Sequence, residues 1–339
     1  MYKLKNLTLL SILSIPLIIS SCTKSTTTTT TVLGNWISRS EFEGVARSEG
    51  VSFVINAKAY IGTGYDGTNR LSDIWQYDPV QNFWIQKADM PGVARSSAVA
   101  FEASGKGYIG TGYDGANRLN DFYQYNDSAN TWMQKNNFAG NPRYDAVGFS
   151  VLGNGYIATG FDGNYLKDFW QYTPATDTWA QQVSMGGTKR SGAVAFVHNN
   201  KAYICTGNNN GSTTDVNDLW VFDPTTTPIW TEERKISNVS TDTYDDAYAI
   251  VRTNAAAFVM NDKAYVTCGE NGSVLGDTWE YDFVNDLWAK KTSYEGVART
   301  GAIGFSVTNR GFTLTGRSSS TPFDDIREFF PLQTYNAND

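Results

Sequence analysis

The chain has 339 residues, of which 14% are aromatic, 18% are charged and 31 are glycine. That profile suits short strands and tight turns better than helices, and a repeat that fills nearly the whole length argues for one domain. The net charge of −7 and the pI near 4.9, with no basic tract, set nucleic acid aside as a partner.

Residues 1–21 read as a signal peptide. Lys3 and Lys5 make a basic start, and the apolar run from Leu7 to Ile19, interrupted by Pro16, is too short to span a bilayer. It ends in Ile19-Ser20-Ser21-Cys22, which resembles the lipobox of bacterial lipoproteins, where the peptidase cuts before the cysteine and lipid is attached to it. The resemblance implies several acyl chains on Cys22, which anchor stably where one would not. Thr23 does not resemble the aspartate that retains lipoproteins in the inner membrane, so the outer membrane of the envelope is the expected location. Residues 22–32, with threonine from Thr26 to Thr31, cannot pack a core and read as a solvated tether.

The next 300 or so residues are one unit copied six times. Arg47, Arg95, Arg143, Arg190, Arg252 and Arg299 recur at intervals of 48, 48, 47, 62 and 47 residues. Each is followed 17 residues later by a glycine: Gly64, Gly112, Gly160, Gly207, Gly269 and Gly316. A period near 50 points to a propeller. The first copy carries four strand-like runs, Ser48 to Ile55, Lys58 to Gly64, Asp73 to Tyr77 and Phe83 to Lys87. Aromatic anchors such as Trp75/Trp84 and Trp279/Trp288 recur nine residues apart, as the fill between stacked sheets. The first run is rich in small residues, as in Ser96-Ser97-Ala98-Val99-Ala100-Phe101, which places that strand innermost, where blades converge.

The ends complete the count. Trp36 precedes Arg47 by 11 residues, the interval of Trp84 to Arg95, while the last unit lacks its second tryptophan. The strand around Trp36 therefore completes the sixth blade and closes the ring. The expected fold is all-β: a six-bladed propeller over residues 33–333, four antiparallel strands per blade, with a tail at 334–339. Cys205 and Cys268 precede their glycines by two and one residues, so they are expected as two buried small hydrophobes and not as a disulfide.

These residues resemble the kelch repeat family over about residues 33 to 333. The segments Gly64-Tyr65-Asp66-Gly67-Thr68-Asn69-Arg70-Leu71 and Gly112-Tyr113-Asp114-Gly115-Ala116-Asn117-Arg118-Leu119 carry the likeness, with the tyrosine-then-tryptophan pair Tyr77 and Trp84. The family's double glycine is replaced by Thr63-Gly64 or Cys205-Thr206-Gly207. The resemblance speaks for the fold, since kelch propellers serve as enzymes, adaptors and structural parts.

In an antiparallel meander, the loop entering strand one and the loop joining strands two and three share a face. The six arginines and the residues just after the glycines, Tyr65, Tyr113, Phe161, Asn208, Glu270 and Arg317, are thus expected to rim one channel mouth. Guanidinium groups with aromatic rings suit a carboxylate or a sugar. In kelch adaptors that capture acidic peptides, arginines matching Arg190 and Arg299 line the pocket. The competing reading makes each arginine structural, paired with an Asp or carbonyl of a neighbouring blade, with Asp66, Asp114 and Asp162 as candidates. The fourth unit breaks the pattern twice, at Asn208 to Ser212 and over Thr241 to Tyr248, which brings Tyr244 and Tyr248 onto the same face as candidate ligand residues.

Enzyme readings fail mostly on inventory. His198 is the only histidine and there is no cysteine pair, so a copper oxidase is excluded and no metal or other cofactor is expected. Bacterial six-bladed kelch proteins include sialic acid mutarotases, for which Glu270 would be the acid/base. The expected function is a lipid-anchored, monomeric envelope module that binds a glycan or a partner protein at the mouth. The alternatives are a mutarotase-like sugar epimerase and a structural component of a surface complex.

Overall fold

The computed structural model describes residues 32–213 and 216–338; the signal segment, Cys22 and nearly all of the tether lie outside them. The first five repeats each fold as a four-stranded antiparallel sheet in sequence order, and the sixth supplies three strands of a further four-stranded sheet. In the first blade the strands are Val51–Ile55, Lys58–Gly62, Ile74–Asp78 and Phe83–Lys87. They fall within a few residues of the sequence expectation; the difference is that Ser48 sits outside the first strand, in an isolated bridge to Tyr65.

Period-two alternation sorts the first strands. Val51, Val99, Val147, Val194 and Ile303 are buried between blades, while Gly50, Ala98, Ala146, Ala193, Ala255 and Ala302 face a central channel of about 230 Å³. Small side chains are required there because six strands meet about one axis. The second strands pack on both faces and are buried almost throughout, as in Ala59-Tyr60-Ile61 and Tyr108-Ile109.

Asn35–Ser38 pairs antiparallel with Ile326–Phe330, so the N-terminal strand does complete the sixth sheet. Trp36 is fully buried, with its ring 4.6 Å from Phe329, 5.1 Å from Tyr294 and 6.0 Å from Phe258. Its indole N–H donates to the Thr292 carbonyl. Four other outer tryptophans follow the same rule: Trp84 donates to Ser40, Trp132 to Ala88, Trp179 to Asn136 and Trp230 to Val183 of the preceding connector. Behind the closing strand, Glu328 accepts from both Arg39 and Arg310. Cys205 and Cys268 are free and buried.

Removing the closing ring should open the seam. Trp36→Ala is expected to cost roughly 3–5 kcal/mol, the range for truncating a large buried aromatic. Denaturant titration measures it, and an unchanged midpoint would mean that closure does not depend on this ring.

Candidate functional site

The repeated glycines and arginines are joined through the backbone at one end of the channel. Gly64 donates its N–H to the Arg95 carbonyl of the next repeat, and the same bond runs Gly112 to Arg143, Gly160 to Arg190, Gly207 to Arg252, Gly269 to Arg299 and Gly316 to Arg47. Gly64 has φ +106°, and a Cβ there would lie 2.8 Å from the Ser48 carbonyl, so a side chain is excluded twice over.

The arginine side chains turn inward from this ring. All six are buried to 1% exposure or less, so none of them rims the mouth, contrary to the ligand reading of Arg47, Arg95, Arg143, Arg190, Arg252 and Arg299. Arg95 forms a two-pronged pair with Asp121 at 2.6 Å on each oxygen and also donates to the Thr111 and Val93 carbonyls. The same fork joins Arg47 to Asp73, Arg143 to Asp168, Arg252 to Asp277 and Arg299 to Asp325, and Arg190 pairs with Asp218. A buried guanidinium is tolerable only when paired and hydrogen-bonded in this way.

The structural reading of the arginines therefore stands in kind, with different partners. Each aspartate belongs to the arginine's own repeat, not to a neighbouring blade. Asp66, Asp114 and Asp162 instead cap their own turns; Asp66, for example, accepts from the Thr68 and Asn69 amides. The signal that identifies the true partners was present in the sequence: in five of the six units an aspartate stands two positions before the third-strand aromatic, as in Asp73-Ile74-Trp75 and Asp277-Thr278-Trp279, while in the sixth Asp325 precedes Arg327 by the same interval.

Two residues after each arginine lies a second ring that the repeat pattern did not reveal. Glu49, Ser97, Asp145, Gly192, Asn254 and Gly301 all adopt φ between +52° and +65°. Each donates its N–H to the preceding member's carbonyl at 2.8–3.1 Å, and Glu49 closes the circle on Gly301. This girdle bounds a mouth cavity of about 120 Å³. Burial pushes the Asp145 carboxyl up to about 7, helped by the charge of Glu49, opposed by a hydrogen bond from Ser97 and helped again by Glu270. Asp145 is still open in part to the cavity, so crowding by protein atoms, not complete enclosure, strips its solvent.

Outside the girdle, aromatic residues form an arc over blades one to three. The Arg70 guanidinium lies between the rings of Tyr65 (5.0 Å) and Tyr113 (4.8 Å). Tyr113 continues to Tyr144, Tyr144 to Phe161 and Phe161 to Tyr165 at 5.1–5.6 Å, with Arg118 over Phe161. All five rings are half-buried. Tyr65, Tyr113 and Phe161 are thus where the sequence placed them. So are Asn208, which donates to Thr253, and the half-buried Glu270, which bridges Thr253 through its backbone.

The two insertions part company. Asn209–Ser212 folds back on itself at the rim, where the Gly211 amide donates to the Tyr165 hydroxyl. The longer one does not reach the mouth. Tyr248 is buried against Trp279 and Trp288 and its hydroxyl accepts from the Trp288 amide, while Tyr244 packs beside it with Arg234 over its ring. Asp245, also buried, accepts from the Val239 and Ser240 amides. Tyr244 and Tyr248 thus pack in the seam between the fourth and fifth blades and not at the mouth where the sequence pattern placed them. His198 stacks on Phe283 at 4.1 Å at the far end of its strand. Among the described residues, no group of three His, Cys, Asp or Glu side chains could hold a metal ion.

Residues 156–316 match the KLHDC2/KLHL20/DRC7 Kelch-repeats domain, and residues 63–91 match the Kelch motif. The solved structure titled "Structure of YjhT" superposes with a TM-score of 0.71 at 17% identity, covering 84% of this chain and 95% of that one. No curated protein matches.

Asp145 gives the girdle a pH signature. Its folded carboxyl holds a proton up to about 7 whereas the unfolded one releases it near 3.8, so ionisation opposes folding as pH rises between those values. Asp145→Asn removes that penalty, which grows by at most ~1.4 kcal/mol per pH unit. Melting curves should show the variant gaining on the wild type from pH 5 to pH 8; parallel pH profiles would place the carboxyl in ordinary solvent.

Proposed function

The chain belongs to the kelch-repeat propellers, and from that premise we propose that it is a binding module held at the cell envelope, with a glycan as its ligand. The observation that carries the reading is the cleft beside the aromatic arc, about 650 Å³, lined by Phe161, Asn164, Tyr165, Lys189, Asn209 and Asn210. Aromatic faces cover the C–H faces of a sugar while amides and an ammonium group meet its hydroxyls. The rings are packed against one another, tilted or edge-on, before any ligand arrives, so little side-chain entropy is lost on binding. Asn209 and Asn210 come from the short insertion, which gives that break in the repeat a use.

Attachment is proposed through lipid on Cys22, with the outer membrane as the destination and the propeller working as a monomer. A second reading, interconversion of the anomers of a sugar acid, is favoured by one feature: Asp145 titrates near neutrality with Glu49 and Glu270 close enough to shift it. Exchange spectroscopy on the anomers of a sugar acid tests it, and no acceleration by the purified protein removes it.

For the binding reading, a glycan array identifies a ligand and calorimetry measures it. Tyr165→Ala should weaken binding about tenfold, a loss of ~1.4 kcal/mol, without moving the melting temperature. Unchanged affinity would place the ligand elsewhere. For the anchor, Cys22→Ala should move the protein from the detergent phase to the aqueous phase; continued partition with detergent would rule out lipidation at that sulfur.

A further inference from the structure

We propose that the cleft between the sixth and first blades is an oxyanion site in which Arg70 and Arg317 hold a carboxylate or sulfate group. The inference is independent of the glycan cleft, which lies on the opposite side of the arc between blades three and four.

Arg70 differs from the six buried arginines in what surrounds it. Each of those has an aspartate and backbone carbonyls, whereas Arg70 has two aromatic faces and no ion pair or hydrogen bond among the described residues. Its Nε is buried with no acceptor. Buried N–H groups are nearly always paired, so a guanidinium left in this state is prepared for an acceptor that arrives from outside. The two rings hold the guanidinium carbon at 5.0 Å and 4.8 Å from their centres, which restricts where the group can move without taking up its N–H donors.

The position is also built to admit it. Gly115 has φ +106°, and a Cβ there would sit 2.6 Å from Arg70 Nη1. Any side chain at 115 would displace the guanidinium. Arg118, 48 residues on, has a ring on one side only and is exposed, so the enclosed arrangement is particular to Arg70.

The cleft in front of it measures about 350 Å³ and is lined by Tyr65, Arg70 and Arg317, with Glu49, Ser319 and Pro322. Arg317 is only loosely held. Its Nη1 donates to the Ser319 carbonyl at 3.1 Å, and its one ion-pair contact among the described residues, Glu49, is 3.7 Å away, beyond hydrogen-bonding range. Two carboxylates act on the site and both are engaged. Glu49 accepts from the Ser97 hydroxyl, and Asp114, which feels the Arg70 charge, is tied to the Ala116 and Asn117 amides. An incoming oxyanion would meet two guanidinium edges with unused N–H groups, and planar forks match carboxylate and sulfate oxygens two at a time.

Calorimetric titration of the whole protein with sodium glucuronate and with sodium sulfate, at ionic strength matched by sodium chloride, tests the site. The expected result is saturable binding of at least one oxyanion, weakened at least tenfold by Arg70→Gln and also by Arg317→Gln. The stronger of the two salts tells a planar carboxylate from a tetrahedral sulfate. Arg317→Gln alters no ring stack, so it remains informative if Arg70→Gln lowers the melting temperature. Absence of saturable binding in the wild type overturns the proposal, as does affinity that survives either substitution in a protein that melts normally.

Discussion

A guanidinium buried in the neck of every blade is the contact on which the rest of this propeller depends. Taking such a charge out of water costs several kcal/mol unless it is fully paired. Here one side chain satisfies itself by reaching three segments of its own repeat: the connector before it, the end of the second strand and the aspartate before the third. In the first blade these are the Val45 carbonyl, the Thr63 carbonyl and Asp73. The indole N–H of Trp75 then donates to the same Asp73, which links the charge pair to the aromatic fill between blades. The arginine's backbone completes the link, since its carbonyl receives the glycine amide of the blade before. Side chain and main chain thus do separate jobs, one holding a blade together and the other joining it to its neighbour.

That arrangement also limits where binding chemistry can reside. The residues that recur in all six units are occupied by the fold, so a ligand can only be met by what differs between units. The aromatic arc occupies half the rim, over blades one to three, while the other three blades present Asn208, Glu270 and Arg317 at the equivalent position. The mouth is therefore polarised around a six-fold frame. The girdle beneath it is rigid for a different reason: its six left-handed residues are each held on both sides by backbone bonds. Side chains placed there, Asp145 among them, are presented with little freedom to move, and a carboxylate crowded by protein atoms titrates far from its usual range.

The two insertions in the fourth unit show how a break in a repeat can have opposite uses. Asn209 and Asn210 add polar groups at the rim. The longer loop is a packing element. Trp288 is the one outer tryptophan whose indole nitrogen has no acceptor among the described residues, and Tyr248 packs beside it while its hydroxyl accepts from the Trp288 backbone amide. Added loop length went into the seam between the fourth and fifth blades and not into a pocket.

The sequence by itself determined the number of blades, the order of strands, the closure through Trp36 and the face on which the Tyr-Asp-Gly loops emerge. Those follow from offsets repeated along the chain and from two-residue alternation, which are local properties of an extended backbone. Only the tertiary structure decided which polar groups stay free. Arg47 and Arg70 are both arginines on the same face, yet one is buried against Asp73 and the other is clasped by Tyr65 and Tyr113. The difference arises from the path of the loop between the second and third strands and from the approach of the next blade. Tyr248 illustrates the same limit, since it packs with Trp279 and Trp288 of the fifth blade and accepts from the Trp288 amide, contacts that no spacing in its own segment records. A side chain's partner depends on distances across blades, and linear sequence encodes these only through the completed ring.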